Sequence, residues 1–139
     1  MCIRQASIDD HEALCAVDSV AGASVERRNQ IRNWLESACC CVAEADGRVA
    51  GYGVLTHHFY GQPFIEMVMV APEFRRQGLG EAIIRHFRST LTQPKLFSST
   101  NMSNKPMQEL FAKLGFQSSG YIENLDEDDP EIIFYRPAV

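Results

Sequence analysis

The chain lacks both long apolar runs and an excess of positive charge. None of its apolar runs approaches the ~20 residues of a membrane-spanning helix. The first residues include the charged Arg4, Asp9, Asp10 and Glu12, so the sequence predicts no secretory signal peptide. The 13 Lys and Arg against 18 Asp and Glu give a formal net charge of −5, and no basic stripe suits a nucleic acid. We therefore expect a cytoplasmic protein without a membrane or nucleic-acid partner.

Cysteine occurs in an odd number and in no metal-binding pattern. The five cysteines include no Cys-x-x-Cys pair, and no histidine stands at zinc-finger spacing. Cys39, Cys40 and Cys41 are consecutive, and neighbouring side chains of a strand point to opposite faces, so this triplet predicts no tetrahedral metal site. We expect reduced, partly buried cysteines and no bound metal.

The spacing of apolar residues predicts one α/β domain, residues 1–139, in the order β-α-α-β-β-β-α-β-α-β-β. Seven strands are expected, at Cys2–Ala6, Cys40–Glu44, Arg48–Leu55, Phe64–Val70, Lys95–Ser99 after Pro94, Phe116–Tyr121 and Ile132–Arg136. Four helices are expected: one that starts near Ser7–Asp10, one at Val25–Ser37, one from Leu79 to Leu91, and one with Pro106 in its first turn and Gly115 at its end. Phe64–Val70 is almost continuously apolar, which predicts a central strand buried on both faces.

The residues after this central strand predict an anion site. Gly78 and Gly80 lack Cβ, so their backbone can adopt turn geometry and come close to a ligand. The helix that begins at Leu79 adds unpaired N–H groups and the positive end of its dipole. Arg75 and Arg76 add positive charge to an acidic chain. The expected ligand of this site is a phosphate or a pyrophosphate.

The same residues resemble a known signature. Arg75-Arg76-Gln77-Gly78-Leu79-Gly80 is similar to the Arg/Gln-x-x-Gly-x-Gly/Ala motif of the GNAT N-acetyltransferase superfamily. A dinucleotide fingerprint would need a third glycine where Ile83 stands, and a P-loop would need lysine where Glu81 stands. The resemblance implies that the loop holds the pyrophosphate of acetyl-coenzyme A. It also implies a mixed, mostly antiparallel sheet of about seven strands flanked by about four helices.

Residues 104–116 resemble the second motif of the family, Asn-x-x-Ala-x-x-x-Tyr-x-x-x-Gly-Phe. Asn104 matches the asparagine that commonly contacts the cofactor, and it suits a helix N-cap equally well. Asn101 is a weaker cofactor candidate. Phe111 stands where the family has a tyrosine, often the general acid toward the leaving thiolate. A thiol pKa near ~8.5 makes the thiolate a tolerable leaving group without that acid, and the sequence also offers Tyr121 and Tyr135.

Glu66 is the candidate catalytic residue, because it interrupts the apolar run Phe64–Val70. A carboxylate buried there costs free energy unless it is paired or reached by water. A free amine, with a pKa near ~10, is mostly protonated at pH 7, and a desolvated carboxylate could accept the proton that must leave before attack on a thioester. The resemblance implies this role, since many GNAT enzymes have a Glu general base at this strand position. The alternative is an edge or bulge residue that faces solvent.

The resemblance also implies a role for the backbone of Val68, Met69 and Val70. In the family this strand pairs with the pantetheine arm of the cofactor as if the arm were an added strand. One amide there faces the thioester oxygen.

The only hint of an acceptor is the segment 123–131, in which six of nine residues are Asp or Glu. It is interpreted either as a solvated connection or as a rim that attracts cationic amines.

Taken with the two motifs, the sequence predicts an N-acetyltransferase that moves an acetyl group from acetyl-coenzyme A to a primary amine of a small molecule or peptide, by direct attack in a ternary complex. The alternative is an acyl-coenzyme A binding module without turnover. A homodimer is compatible with the sequence.

Overall fold

The computed structural model describes residues 1–92 and 95–137. In chain order its elements are β1 (Cys2–Gln5), α1 (His11–Val17), α2 (Val25–Ser37), β2 (Cys39–Ala45), β3 (Arg48–Phe59), β4 (Gln62–Val70), α3 (Leu79–Thr90), β5 (Lys95–Asn101), α4 (Lys105–Lys113), β6 (Gln117–Ile122) and β7 (Glu131–Pro137). The strands form one sheet in the order β1-β2-β3-β4-β5-β7-β6. β4 runs parallel to β5, and the pairs β1–β2, β2–β3, β5–β7 and β6–β7 are antiparallel.

The predicted element order and α/β class are confirmed, and the differences concern boundaries. Helix α2 has the predicted bounds, whereas β3 runs four residues past its predicted end, to Phe59. His57 and His58 are exposed there, so the apolar pattern ends before the strand does. Backbone hydrogen bonds extend the strand without requiring apolar side chains. Pro94, after which the fifth strand was expected, lies outside the described residues. The assignment of residues 1–139 to one domain stays a prediction.

The described chain forms two compact units, the first made of Met1–Thr56 and Met67–Thr90. Asp46 and Gly47, with φ of 54° and 71°, form the predicted turn between β2 and β3. The apolar core of this first unit includes one fully buried side of α3, formed by Leu79, Ile83, Ile84 and Phe87.

A buried carboxylate ties the α1–α2 connection to the sheet of this first unit. The Asp18 side chain is fully buried, and it accepts hydrogen bonds from Tyr52 Oη at 2.6 Å and Arg27 Nη1 at 2.9 Å. The backbone N–H groups of Val20 and Ala21 donate to its other oxygen at 2.8 and 3.2 Å. Burial alone would raise the pKa of Asp18, but these hydrogen bonds more than offset burial and hold the pKa below its ordinary value.

The cysteines of the first unit are free, as expected. Cys2 and Cys39 are exposed, whereas Cys15, Cys40 and Cys41 are buried. Burial raises the pKa of the Cys40 and Cys41 thiols to about 12.

The second unit is made of His57–Glu66 and the chain from Leu91 onward. The parallel ladder of β4 and β5 pairs Phe64 with Phe97 and Ile65 with Ser98, and Ser98 Oγ donates to the Ile65 carbonyl at 2.9 Å. Strand β6 is exposed along its whole length at the edge of the sheet. Asn104 caps α4, and Gly115 follows the helix with φ of 88°, as the sequence predicts.

We predict that Tyr52→Phe lowers the free energy of unfolding by roughly 1.5–3 kcal/mol at pH 7, because a hydrogen bond to a buried charge is lost. The lowered pKa of Asp18 means that its stabilising contribution is present above the ordinary carboxyl pKa and is lost as pH falls through the folded value. Removing the Tyr52 donor raises that folded pKa, so acid unfolding should begin at a higher pH. Urea unfolding at several pH values measures both effects. Tyr60→Phe, at a tyrosine 89% exposed, is the matched control and should change neither quantity.

Candidate active site

The loop before α3 has the geometry of an anion site. Gly78 has φ of 82°, and a Cβ built on it would meet nothing within 4 Å, so the space beside it is open. The first hydrogen bond of the helix joins the Ala82 N–H to the Gly78 carbonyl at 3.0 Å. The amides of Leu79 and Gly80 therefore lie in the first turn, ahead of the first hydrogen bond that the helix makes with its own backbone. Donors and the positive end of the helix dipole meet at this point.

Three predicted polar residues of the loop are exposed, namely Arg75, Arg76 and Gln77. Arg75 Nε donates to the Val70 carbonyl at 3.2 Å, which ties the loop to the end of β4. Arg76 has φ of 64°, an uncommon backbone conformation for a residue with a side chain. The sequence indicated the positive charge of this loop but gave no sign of the turn at Arg76.

The helix that carries the loop is anchored and charge-compensated. Leu79 and Phe74 on either side of the loop are 2% and 4% exposed, so both ends of the loop are fixed in the core. Glu81 is the acidic residue of the first helical turn, and Arg85 Nε donates to its carboxylate at 2.8 Å. This ion pair offsets a negative charge close to the predicted anion site.

The backbone of β4 presents hydrogen-bonding groups on the edge opposite β3. The Ala71 N–H donates to the Ala50 carbonyl of β3 at 2.8 Å. Successive residues of a strand direct their N–H and C=O groups to alternate sides, so those of Val70 and Val68 point away from β3. The contact from Arg75 to the Val70 carbonyl is therefore made on that opposite edge.

Glu66 is exposed, and Met67 to Val70 are half-buried. The predicted burial of this strand on both faces is therefore wrong over its second half. The sequence could not show this, because coverage of a strand depends on distant elements rather than on its own apolar pattern. The sequence analysis expected a desolvated carboxylate, whereas the Glu66 side chain is exposed to water. The role of Glu66 as a base stays a prediction.

The predicted N-cap is confirmed at Asn104, whose Oδ1 accepts from the Met107 N–H at 3.2 Å. Its contact with a cofactor stays a prediction. The turn before α4 is held by Gln108, whose Nε2 donates to the carbonyls of Asn101 and Met102 at 3.2 and 2.6 Å.

Three of the six carboxylates of the acidic segment 123–131 accept hydrogen bonds from polar side chains of β5 and the turn after it. The three pairs are Ser99 with Glu131 at 2.7 Å, Asn101 with Asp126 at 2.8 Å, and Ser103 with Asp129 at 2.6 Å. Residues 123–128 are nonetheless exposed, so the solvated connection and the rim that attracts cationic amines both stay predictions. The polar residues at alternate positions 99, 101 and 103 were the sequence signal that could have indicated partners.

Phe111 is a core residue, 1% exposed. Its ring centroid lies 5.0 Å from that of Phe116 and 4.9 Å from that of Phe134. Where the family motif has a tyrosine, this chain therefore has a phenylalanine ring that packs against two other phenylalanine rings.

Neither a metal centre nor a transmembrane helix is found in the described part of the chain. Within residues 1–92 and 95–137, no three His, Cys, Asp or Glu side chains are arranged to hold a metal ion. Within the same ranges, no helix has the length and apolarity needed to cross a bilayer.

Residues 7–116 match the model of the acetyltransferase (GNAT) family, which covers most of the chain. The chain therefore belongs to this family of acetyl-transferring enzymes, as the two motifs predicted. Acetyl-coenzyme A is the co-substrate of the family, and its binding by the loop of Arg75 to Gly80 stays a prediction.

The chain is similar to several acetyltransferases from bacteria. A GNAT acetyltransferase of Bacillus cereus, 35% identical, has a TM-score of 0.91, with 99% of this chain and 97% of that chain covered. The ribosomal-protein-S18-alanine N-acetyltransferase of Escherichia coli shares the fold at 20% identity, with a TM-score of 0.85 over 99% of this chain and 94% of that chain. A Bacillus subtilis protein, provisionally named a ribosomal protein bS18-alanine N-acetyltransferase, is 33% identical over 94 residues, which are 65% of this chain and 61% of that protein. This chain thus matches less than two thirds of the Bacillus subtilis relative.

We predict that Phe111→Tyr destabilises the protein without accelerating catalysis. A hydroxyl buried among the rings of Phe116 and Phe134 should cost roughly 1–3 kcal/mol of the free energy of unfolding. The rate of thiol release should change by less than about tenfold, or ~1.4 kcal/mol in the barrier. Both quantities are measured on the same preparation. Phe116→Tyr, in the same cluster but outside the tyrosine position of the motif, is the control, and a rate gain confined to Phe111→Tyr would show that the site lacks an acid.

Proposed function

We propose that this protein transfers the acetyl group of acetyl-coenzyme A to a primary amine by direct attack in a ternary complex. The observation that carries the proposal is the exposed basic loop at the start of α3, joined by a short turn to a strand whose Val68 and Val70 backbone groups point away from β3. The loop suits the pyrophosphate, and the strand edge suits the amide-bearing pantetheine arm.

The pyrophosphate binds the first-turn amides of α3, between the open space at Gly78 and the guanidinium groups of Arg75 and Arg76. Backbone N–H groups, a helix dipole and two cations act on the same two phosphates there. Gln77 is exposed beside them and adds a neutral donor, while the buried Leu79 keeps the turn in place. In this assignment Arg76 contributes through its charge rather than through a fixed side-chain contact.

The pantetheine arm runs back along β4 from this loop. Val70 is the residue nearer the loop, so its outward N–H pairs with a carbonyl of the arm, while its own carbonyl accepts from Arg75 Nε. Val68 lies two residues further along, about 6.6 Å by the rise of a strand, and its N–H meets the thioester oxygen. Met69 points its backbone groups toward β3 and takes no part in this pairing. Asn104 remains a proposed contact of the cofactor.

Glu66 accepts the proton that the acceptor amine must lose. It lies two residues before Val68 on the same face of the pleat, so the carboxylate is near the carbonyl carbon in this assignment. The amine nitrogen attacks that carbon, its proton passes to Glu66 directly or through water, and the carbon–sulfur bond breaks to release the thiolate. Because Glu66 is exposed, water can carry the proton on to solvent.

The acceptor is a cationic amine of a peptide or a small molecule. The carboxylates of Glu123, Glu127 and Asp128 are exposed in the acidic segment, where they favour an approaching ammonium group. The related ribosomal-protein-alanine acetyltransferases make a protein amine a natural first member of the acceptor panel. A cytoplasmic location and a homodimer stay predictions.

We expect Gly78→Asp to weaken coenzyme A binding by at least about tenfold, or ~1.4 kcal/mol. The new carboxylate would occupy the open space beside the first turn and repel the pyrophosphate. Titration calorimetry measures the affinity. Gly47→Asp is the matched control, because Gly47 also has a positive φ, 71°, and open space, and lies in the β2–β3 turn. Equal affinity for both folded variants would refute the loop assignment.

A second variant separates chemistry from binding. Glu66→Gln keeps the side-chain volume but removes the proton acceptor, so turnover should fall by ~10²–10⁴ near pH 7 while cofactor affinity survives. The loss should shrink at high pH, where more of the amine is neutral. The assay follows thiol release with a panel of amines. Glu36→Gln, at an exposed residue of α2, is the control. Wild-type turnover in Glu66→Gln at pH 7 would exclude Glu66 as the base, and no turnover by the unmodified protein with any amine would favour the binding module.

A further inference from the structure

Gly51 lies where β3 passes close to the backbone of β4. It is buried, and a Cβ built on it would lie 2.7 Å from the carbonyl oxygen of Met69 and 3.5 Å from Cα of Val70. A Cβ does not approach a backbone oxygen so closely without strain, so any side chain here forces one strand to shift. Glycine in a strand often marks such a close backbone approach.

A β-bulge brings Gly51 to this position. The register of β2 and β3 shifts between Ala43 and Glu44, which leaves Ala50 as an extra residue beside Gly51. A bulge bends its strand and re-aims the residues next to it. The Ala50 carbonyl accepts the hydrogen bond from Ala71 of β4. The bulge and Gly51 therefore act on the same short stretch of β4.

The position of the Met69 carbonyl fixes the direction of the next amide. Because this oxygen lies beside Gly51, the carbonyl points toward β3. The C=O and N–H groups of one trans peptide point in opposite directions, so the Val70 N–H points away from β3. A shift of the Met69 carbonyl must therefore turn the Val70 amide as well.

We propose that Gly51 is a positioning residue for the pantetheine arm, since it lets the Met69–Val70 peptide present the Val70 amide to the cofactor. This inference rests on the proposed function, which places the arm along Val68 and Val70. Gly51 itself touches neither cofactor nor substrate in this assignment. Its effect passes through one peptide plane, and it should be felt by the arm and not by the pyrophosphate.

Two other glycines provide matched controls. A Cβ on Gly53, two residues along β3, would approach side-chain atoms of Ile83 and Phe87 on α3 instead of the β4 backbone. Gly53→Ala therefore strains the core without turning the Met69–Val70 peptide. A Cβ on Gly22 would meet nothing within 4 Å, so Gly22→Ala controls for the substitution itself.

The test compares two ligands, acetyl-coenzyme A and 3′-phosphoadenosine 5′-diphosphate, which keeps the pyrophosphate but has no pantetheine arm. Gly51→Ala should weaken acetyl-coenzyme A binding about tenfold, the order of one or two lost hydrogen bonds, and change affinity for the fragment less than about twofold. Gly53→Ala should affect both ligands equally, and Gly22→Ala neither. Equal losses for both ligands in Gly51→Ala, or no loss for either, would overturn the positioning role.

A measurement on the unmodified protein covers the case in which Gly51→Ala fails to fold. In an amide proton–nitrogen NMR spectrum, the Val70 signal should move on addition of acetyl-coenzyme A but not on addition of the fragment. A Val70 amide that responds to neither ligand, or equally to both, refutes the inference. Thiol release by the same preparation distinguishes the two proposals: release without the Val70 response refutes the inference alone, and the Val70 response without release refutes only the acetyl transfer.

Discussion

The hydrogen bond from Ala71 to Ala50 determines which backbone groups of β4 face β3 and which face away from it. Once this amide faces β3, the alternation of a strand turns the groups of Val68 and Val70 the other way. The chain then enters the basic loop within a few residues, and the buried Phe74 and Leu79 fix the two ends of that loop. Strand edge and helix start are thus set by short, local constraints. At Gly51 the absence of a side chain leaves room for the backbone of β4 to pass close to β3.

Features that depend on neighbouring residues were predictable, and features that depend on distant ones were not. The glycine loop, the Asn104 cap and the Asp46-Gly47 turn have local causes, and each occurs where the sequence places it. The exposure of Glu66 depends on what covers β4, which its apolar neighbours do not report. The pairing of Asp129 with Ser103 joins residues 26 positions apart, so the alternating polar residues of this stretch could suggest partners but not which carboxylate pairs with which. The roles of the site residues in binding and catalysis remain predictions.

Charge in this protein is organised locally, and the net value of −5 says little about any one site. Arg75 and Arg76 give the loop before α3 a positive character that the whole chain does not have. Asp18 shows the opposite arrangement, a fully buried carboxylate that stays charged because four donors reach it. Such donor sets offset the cost of removing a charge from water.

The distribution of cysteines affects any assay that detects released coenzyme A by its free thiol. Reagents that report thiols react with thiolates, and the Cys40 and Cys41 thiols, with pKa values of about 12, stay protonated under ordinary assay conditions. Cys15 is buried as well, whereas Cys2 and Cys39 are exposed to the reagent. The folded protein should thus add a background of two reactive thiols per chain, and the three buried thiols should react only when the protein unfolds. The same colour reaction that follows turnover would then also report whether a variant has kept its fold.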